Sequence, residues 1–193
     1  MDEEFKHDRV TAIISPFTGI EFVPEMYLEK AAARGTEVHK HIEGLVMGFE
    51  AYNIDEKIAP YLRSFKRYWA DSKHSFDTGD IIQEERLFCD SCMITGKPDL
   101  IVKFEDRTLV LDWKTSAREH PTSWAAQGAA YKYLLEVNGY ENVDPVVFVK
   151  VSKYGGPPKL FQYKDYKGDL EVFQKCLDLY RHFEMDKTRN KFK

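Results

Sequence analysis

Three consecutive stretches carry most of the information in this chain: Gly96-Lys-Pro-Asp-Leu-Ile-Val102, the polar turn Glu105-Asp106-Arg107, and Thr108-Leu-Val-Leu-Asp-Trp-Lys-Thr-Ser116. Side chains alternate along a strand, so Val110, Asp112 and Lys114 share one face while Leu109, Leu111 and Trp113 share the other. Asp112 therefore sits in an otherwise apolar strand, with an ammonium group two residues on. Asp99 opens the neighbouring strand, and so short a return can bring the two carboxylates together at one end of a sheet. Paired buried carboxylates repel one another and are costly to desolvate unless protonated or neutralised by a cation. A hard divalent ion, Mg²⁺ or Mn²⁺, removes both penalties, because it takes oxygen ligands. Such an ion also polarises a phosphodiester and lowers the pKa of a water molecule. Lys114, on the same face, is placed to orient that water or to balance charge on a scissile phosphate. The same segment also fits a structural Asp–Lys pair in an exposed hairpin.

Working outward, Asp80 to Cys89, Thr95 to Phe104 and Thr108 to Lys114 read as a three-strand meander, and Val146 to Val151 as a buried fourth strand. A turn at Tyr154-Gly-Gly-Pro-Pro158 precedes a short strand from Lys159 to Tyr163. Val10 to Phe17 is mixed, with Ser15-Pro16 marking a turn or helix start. Pro24 to Phe49 is helical in pattern, with Arg34-Gly35-Thr36 a candidate interruption and Thr36 a candidate N-cap for a second helix. Asp55 to Ser72 places Ile58, Leu62, Phe65 and Trp69 at helical spacing. Ser123 to Val137 is a helix ended near Asn138-Gly139, Leu170 to Phe183 is a closing helix, and Asp186 to Lys193 is a frayed tail. This order predicts an α/β fold, with a central mixed sheet of four to five strands flanked by helices. At 193 residues one domain is expected, helical over about 1–75 and carrying the sheet over about 76–185.

Composition narrows the class. With 43% hydrophobic and 31% charged residues the chain is ordinary for a globular protein, which excludes disorder. Its apolar runs are too short to span a membrane, and the acidic opening Met-Asp-Glu-Glu-Phe lacks the features of a signal peptide. An intracellular, cytoplasmic protein is expected, in the host-cell cytoplasm if phage-encoded. Cys89 and Cys92 form a lone C-x-x-C far from Cys176, which suggests reduced thiols rather than a four-ligand zinc or iron–sulfur site. A net charge of −4 argues against a protein that coats DNA through a large basic surface, but leaves room for a local basic track beside an acidic metal site.

Three further features lie in a telling order around Pro98-Asp99 and Asp112-Trp113-Lys114. In the following helix Gln127 and Tyr131 are a turn apart on one face. Read alone, that pair fits an amphipathic helix with a half-buried Tyr. Upstream, Gly35-Thr-Glu-Val-His39 leads to Glu43, and His39 and Glu43 face the same way, with His41 on the opposite side. Read alone, His39 is a surface or satisfied core residue. Between them, Glu84 and Glu85 occupy opposite faces of a strand, and either one fits a solvated strand edge.

Taken together from about Gly35 to Tyr131, these elements resemble the PD-(D/E)xK nuclease superfamily, in the RecB-type branch that carries G-x-x-x-H and Q-x-x-x-Y around the two acidic motifs. The resemblance implies a restriction-endonuclease-like core and a DNA nuclease, of exonuclease type in this branch, acting in recombination, repair or replication. It implies a catalytic set of Asp99, Asp112, Lys114 and Glu84, with Glu85 the alternative to Glu84. It implies that His39, Asp99, Asp112 and the Trp113 carbonyl ligate Mg²⁺ or Mn²⁺, with Glu84 helping to place a second ion or a water. Gln127 and Tyr131 are implied to hold DNA. Core packing is the expected use of Trp124 and most tyrosines, with stacking on single-stranded bases as the other possibility. The iron–sulfur relatives (Cas4 and AddB types) need four cysteines, so the chain is similar to the cluster-free members, such as phage-type recombination exonucleases and the mitochondrial genome maintenance exonuclease. The expected partner is DNA, single-stranded or with a free end, and an annealing or helicase partner would be a separate chain. The rival expectations are a nuclease fold retired to DNA binding and a restriction-like endonuclease.

Overall fold

The computed structural model describes residues 7–19, 22–50 and 52–189, with side chains as far as residue 184. The acidic opening and the last residues of the expected frayed tail lie outside that range. The chain opens with β1 (Asp8–Arg9) and α1 (Val10–Ile14), followed by a 3₁₀ turn over Ser15–Phe17 that has Pro16 in its first turn. Two long helices follow, α2 (Glu25–Val46) and α3 (Ala59–Ser72). The strands are β2 (Asp80–Gln83), β3 (Leu87–Cys89), β4 (Ile94–Gly96), β5 (Leu100–Lys103) and β6 (Thr108–Lys114). Then come α4 (Pro121–Val137), β7 (Val147–Lys150), β8 (Lys159–Gln162) and α5 (Tyr166–Arg189).

The main sheet has five strands in the order β2-β5-β6-β7-β8. It is mixed: β6 and β7 run parallel, and the other neighbours are antiparallel. The parallel step requires a crossover, which α4 supplies. On one face α2 and α3 bury Val38, Ile42, Leu62 and Phe65 against Leu100, Leu111, Trp113 and Val149. On the other face α1, α4 and α5 contribute Ile13, Trp124, Leu134 and Phe173 to a core that includes Ile101, Val110 and Phe148. The alternation in β6 thus separates two cores. Trp113 is held by edge-on contacts with Phe65 (5.2 Å) and Tyr68 (6.2 Å), which fixes which face Asp112 and Lys114 take.

The expected meander is divided between two sheets. The stretch from Asp80 breaks after Gln83, where Glu84 adopts φ 56°. The stretch from Thr95 breaks at Lys97-Pro98. The pieces β3 and β4 pair with each other, and β1 lies parallel to β4, in a small sheet of order β1-β4-β3. The reason is burial. Leu87 and Ile94 join Val10, Ile13 and Leu134 in the core above α4, which a straight continuation of the main sheet would not reach.

The expected interruption at Arg34-Gly35-Thr36 is absent, since α2 is continuous and Thr36 is interior. A glycine within a helix costs about 1 kcal/mol relative to alanine. Here it lets the helix close on the end of β6, where a Cβ on Gly35 would sit 3.4 Å from Thr115 Oγ1. The next helix starts at Ala59 rather than Asp55, because the Asp55 carbonyl accepts from the Ile58 and Ala59 amides (both 3.0 Å) in a turn ahead of Pro60. Similarly, α4 starts at Pro121, ahead of the expected Ser123, and α5 extends beyond Leu170–Phe183 at both ends. Among the described residues no helix is long and apolar enough to cross a membrane.

Candidate active site

The two aspartates occupy the ends of adjacent strands. Leu100 is opposite Leu111, so β5 begins just after Asp99 and leaves the Asp112–Lys114 end of β6 without a backbone partner on that side. The Asp99 side chain fills the gap: Oδ2 accepts the Trp113 amide at 2.6 Å, and Oδ1 is 2.9 Å from His39 Nδ1. With a carboxylate as its partner, Nδ1 carries the proton, which leaves Nε2 as the free nitrogen of His39. The N–H and C=O of one strand residue point to the same side, so the Trp113 carbonyl also leaves β6 on the Asp99 side. Asp99 and Asp112 are 8% and 4% exposed, carboxylates enclosed in an otherwise apolar sheet end.

Lys114 Nζ lies 2.5 Å from Asp112 Oδ1 and donates to Gln127 Oε1 at 2.9 Å. The approach to Asp112 is close but poorly aligned, so Oδ1 is a buried acceptor with a charge beside it and no well-directed hydrogen bond. Burial raises the Asp112 carboxyl from an ordinary 3.8 to about 6; Lys114 opposes the rise and the Asp99 charge adds to it. For His39, burial is the largest single influence and lowers its pKa. The charge and hydrogen bond of Asp99, with the Asp112 charge added, together outweigh it, so the imidazole is raised from 6.5.

On the rim, Glu84 and Lys97 form an ion pair, and the Glu84 amide donates to the Asp99 carbonyl at 3.3 Å. Glu84 shares with His39, Glu43 and Asp99 an open hollow of about 390 Å³. Glu85 takes a different direction, its carboxylate accepting from the Tyr140 hydroxyl. A left-handed conformation is uncommon for a side chain such as Glu84 and is often found where function holds it. Here it marks the point at which the chain leaves the main sheet.

Gln127 and Tyr131, expected to hold DNA directly, are 7% and 3% exposed. Gln127 Nε2 donates to the Tyr131 hydroxyl at 3.0 Å, and that hydroxyl donates to the Lys97 carbonyl at 3.4 Å. Their polar ends connect Lys114 to the Pro98-Asp99 turn rather than facing open solvent. Burial, with the Asp112 charge next, lifts the Tyr131 hydroxyl well above the ordinary phenol range, so it remains a neutral donor. Trp124 is stacked on Phe148 (5.9 Å) and edge-on to Phe161 (5.3 Å), a core residue. Lys97 carries no role in the sequence reading. Its only signal there is its place immediately before Pro98-Asp99.

Among the described residues no group of three or more His, Cys, Asp or Glu side chains is gathered so as to hold a metal ion. Asp99 is engaged by His39 and Trp113, and Asp112 by Lys114. The donor chemistry nevertheless fits a hard divalent cation: two enclosed carboxylates, one with an oxygen short of aligned donors, beside an imidazole and a peptide carbonyl.

Comparisons with known proteins bear on this arrangement. A solved structure from Eubacterium rectale, described as a candidate exonuclease, is 12% identical with a TM-score of 0.52; the match covers 81% of this chain and 65% of that one. The chain thus spans about two thirds of that protein's length, and at this identity the likeness concerns the fold alone. The solved structure of SSO0001 is also 12% identical, with a TM-score of 0.44 over 93% of this chain and 78% of that one. No curated protein matches closely enough to count as a relative. The sequence profile of the PD-(D/E)XK nuclease superfamily matches residues 23–188, a span that contains α2, the five-stranded sheet and both acidic strand ends. With that profile laid over most of its length and over this mixed sheet, the chain belongs to the PD-(D/E)XK nuclease superfamily.

Proposed function

We propose that the chain is a metal-dependent deoxyribonuclease that hydrolyses phosphodiester bonds at the end of β5 and β6. The observation that carries this reading is the placement of Asp99 and Asp112 at the ends of adjacent strands, both enclosed, with Lys114 at 2.5 Å from an Asp112 oxygen that lacks an aligned donor. A Mg²⁺ or Mn²⁺ ion held by these carboxylates, with His39 Nε2 and the Trp113 carbonyl as further donors and Glu84 beside them, would offset their repulsion, polarise the phosphodiester and acidify a water.

The protein's own groups do the rest. Asp99 orients the His39 ring through Nδ1, and it ties β5 to β6 through the Trp113 amide. Lys114, fixed between Asp112 and Gln127, is positioned to direct the attacking water and to balance charge growing on the phosphoryl oxygens. Gln127 and Tyr131 act as positioning residues, holding the ammonium group against the turn that carries Asp99. Glu84, steered by Lys97, faces the hollow through which a strand would approach. Exonuclease action is preferred because of the RecB-type order of motifs, and the neighbour described as a candidate exonuclease is consistent with it. A role in DNA recombination, repair or replication follows from the same branch.

The test uses end-labelled linear DNA and a closed circle, with Mg²⁺ or Mn²⁺, comparing wild type with Asp112→Ala and Lys114→Ala. Metal-dependent loss of label from linear DNA by wild type alone, with the circle left intact, supports the proposal. Equal activity in all three proteins would end it. Defined fragments from a long duplex would make it an endonuclease, and binding without turnover would make it a DNA-binding module.

A further inference from the structure

One end of the sheet carries a row of lysines, at the last residues of β6 and β7 and the first residue of β8. Lys114 on β6 is opposite Lys150 on β7, and Lys150 is opposite Lys159 on β8. Cross-strand partners direct their side chains to the same face, and like charges set directly opposite one another destabilise a sheet. The row is only partly neutralised. Asp112 answers Lys114, but one carboxylate, Glu119, is shared by Lys159 at 3.1 Å and Lys150 at 3.9 Å. In a chain of net charge −4, such a concentration of positive charge is local and contrary to the average.

The row runs outward from the active site. Side-chain exposure goes from 16% at Lys114 and Lys150 to 71% at Lys159. Beyond it stands a turn bearing Lys153 and Tyr154. Tyr154 is 81% exposed, and Lys153 Nζ lies 5.0 Å from the centre of its ring. The turn is well braced: the Ser152 amide donates to Ser64 Oγ at 2.8 Å, and the Tyr154 amide donates to Ser152 Oγ at 3.2 Å. Gly155, at φ 78°, packs so closely on Arg63 that a Cβ would lie 3.0 Å from its Nε. Between this turn and the loop after β6 is a cleft of about 210 Å³, lined by Tyr61, Ser116, Lys150, Lys153, Tyr154 and Lys159. Ser116 is two residues from Lys114, a separation of at most about 7 Å between Cα atoms.

We propose that the lysine row and the Lys153–Tyr154 turn form a track for the strand being cut: the ammonium groups take successive backbone phosphates, and the Tyr154 ring takes an unpaired base. The track rests on the nuclease reading above, since it starts at Lys114. It favours a single strand, because an exposed ring can stack only where a base has a free face. Glu119 holds the heads of Lys150 and Lys159 in the cleft.

Fluorescence anisotropy of a labelled single-stranded oligonucleotide, in EDTA so that nothing is cut, tests it. Wild type is compared with Lys153→Ala, Lys159→Ala and Tyr154→Ala, with Lys175→Ala on the exposed face of α5 as the charge-matched control. All the substituted positions are exposed, and circular dichroism checks that each variant folds. Loss of either track lysine should flatten the dependence of log affinity on log salt by about 0.7, whereas the control should match wild type. Tyr154→Ala should weaken single-strand binding by about 5- to 150-fold, without a matching loss on blunt duplex. Track variants that bind like wild type overturn the proposal, as does wild type that does not bind the oligonucleotide. An equal loss on duplex overturns the assignment of Tyr154. Metal-dependent cutting is scored separately. Binding that follows the track without any cutting sinks the nuclease reading alone, and cutting with unchanged binding in every variant sinks the track alone.

Discussion

Asp112→Asn should stabilise the metal-free protein and abolish its activity. Asn keeps the shape of the side chain and removes the charge. Burial and the neighbouring Asp99 charge raise the Asp112 carboxyl from 3.8 to about 6, even with Lys114 alongside. The folded protein therefore holds this proton to higher pH than the unfolded chain does. Stability falls as pH rises between those two values, because the folded state binds more protons there. Below about pH 4 the effect vanishes, and above about pH 6 the full penalty applies. A rise of about two pH units, at about 1.4 kcal/mol each, makes that penalty about 3 kcal/mol. In a chain of this size, this corresponds to a Tm gain of about 6–12 °C for the variant at pH 8. Thermal and urea unfolding in EDTA, at pH 5 and pH 8, measure it. Addition of Mn²⁺ should then raise the Tm of wild type and leave the variant where it was. If Asp112→Asn is no more stable than wild type at pH 8 in EDTA, the electrostatic reasoning fails.

Other expectations concern the surroundings of that carboxylate. His39→Gln should cost more stability at pH 5.5 than at pH 9, because the raised imidazole contributes below its unfolded value and loses that contribution as pH rises through its folded one; urea unfolding at both pH values checks this. Lys114→Met should cut turnover by at least about 100-fold, and should lose stability at pH 8 that returns at pH 5, as Asp112 loses its counter-charge; cleavage assays and unfolding report the two effects. Gly96→Ala should cost about 1–3 kcal/mol, since the new methyl would lie 2.7 Å from Leu134 Cδ1 and 3.0 Å from the Tyr131 ring; urea unfolding measures it. Phe65→Ala should cost about 3–5 kcal/mol by opening a void under Trp113, which tryptophan fluorescence during unfolding would follow.

The centre of the site was legible because β6 is a strand with a buried core on each side. Period-two alternation then leaves one direction for Asp112 and Lys114, and the apolar residues at 109, 111 and 113 reveal it. His39 was legible through its spacing from Gly35, although the glycine pointed equally to a helix break; its packing against Thr115 lies 80 residues away and has no local trace. The breaks at Glu84 and Lys97-Pro98 were hidden for the same kind of reason. The residues on either side keep a continuous strand pattern, and the split is imposed by the need of Leu87 and Ile94 to cover α4. Glu84 takes a positive φ where no glycine announces it. Gln127 and Tyr131 share the face that their spacing gives, and both are buried there. Trp124 to Tyr131 is buried at every position, so the helix has no solvent side there on which to display them.

The most direct test of the central claim is the anomalous-scattering map of a crystal of the wild-type protein soaked in Mn²⁺. A strong peak is expected in contact with carboxylate oxygens of both Asp99 and Asp112, absent from Asp112→Asn crystals soaked in the same way. A map with no peak there, or one whose manganese sits elsewhere and is indifferent to that substitution, would contradict that claim.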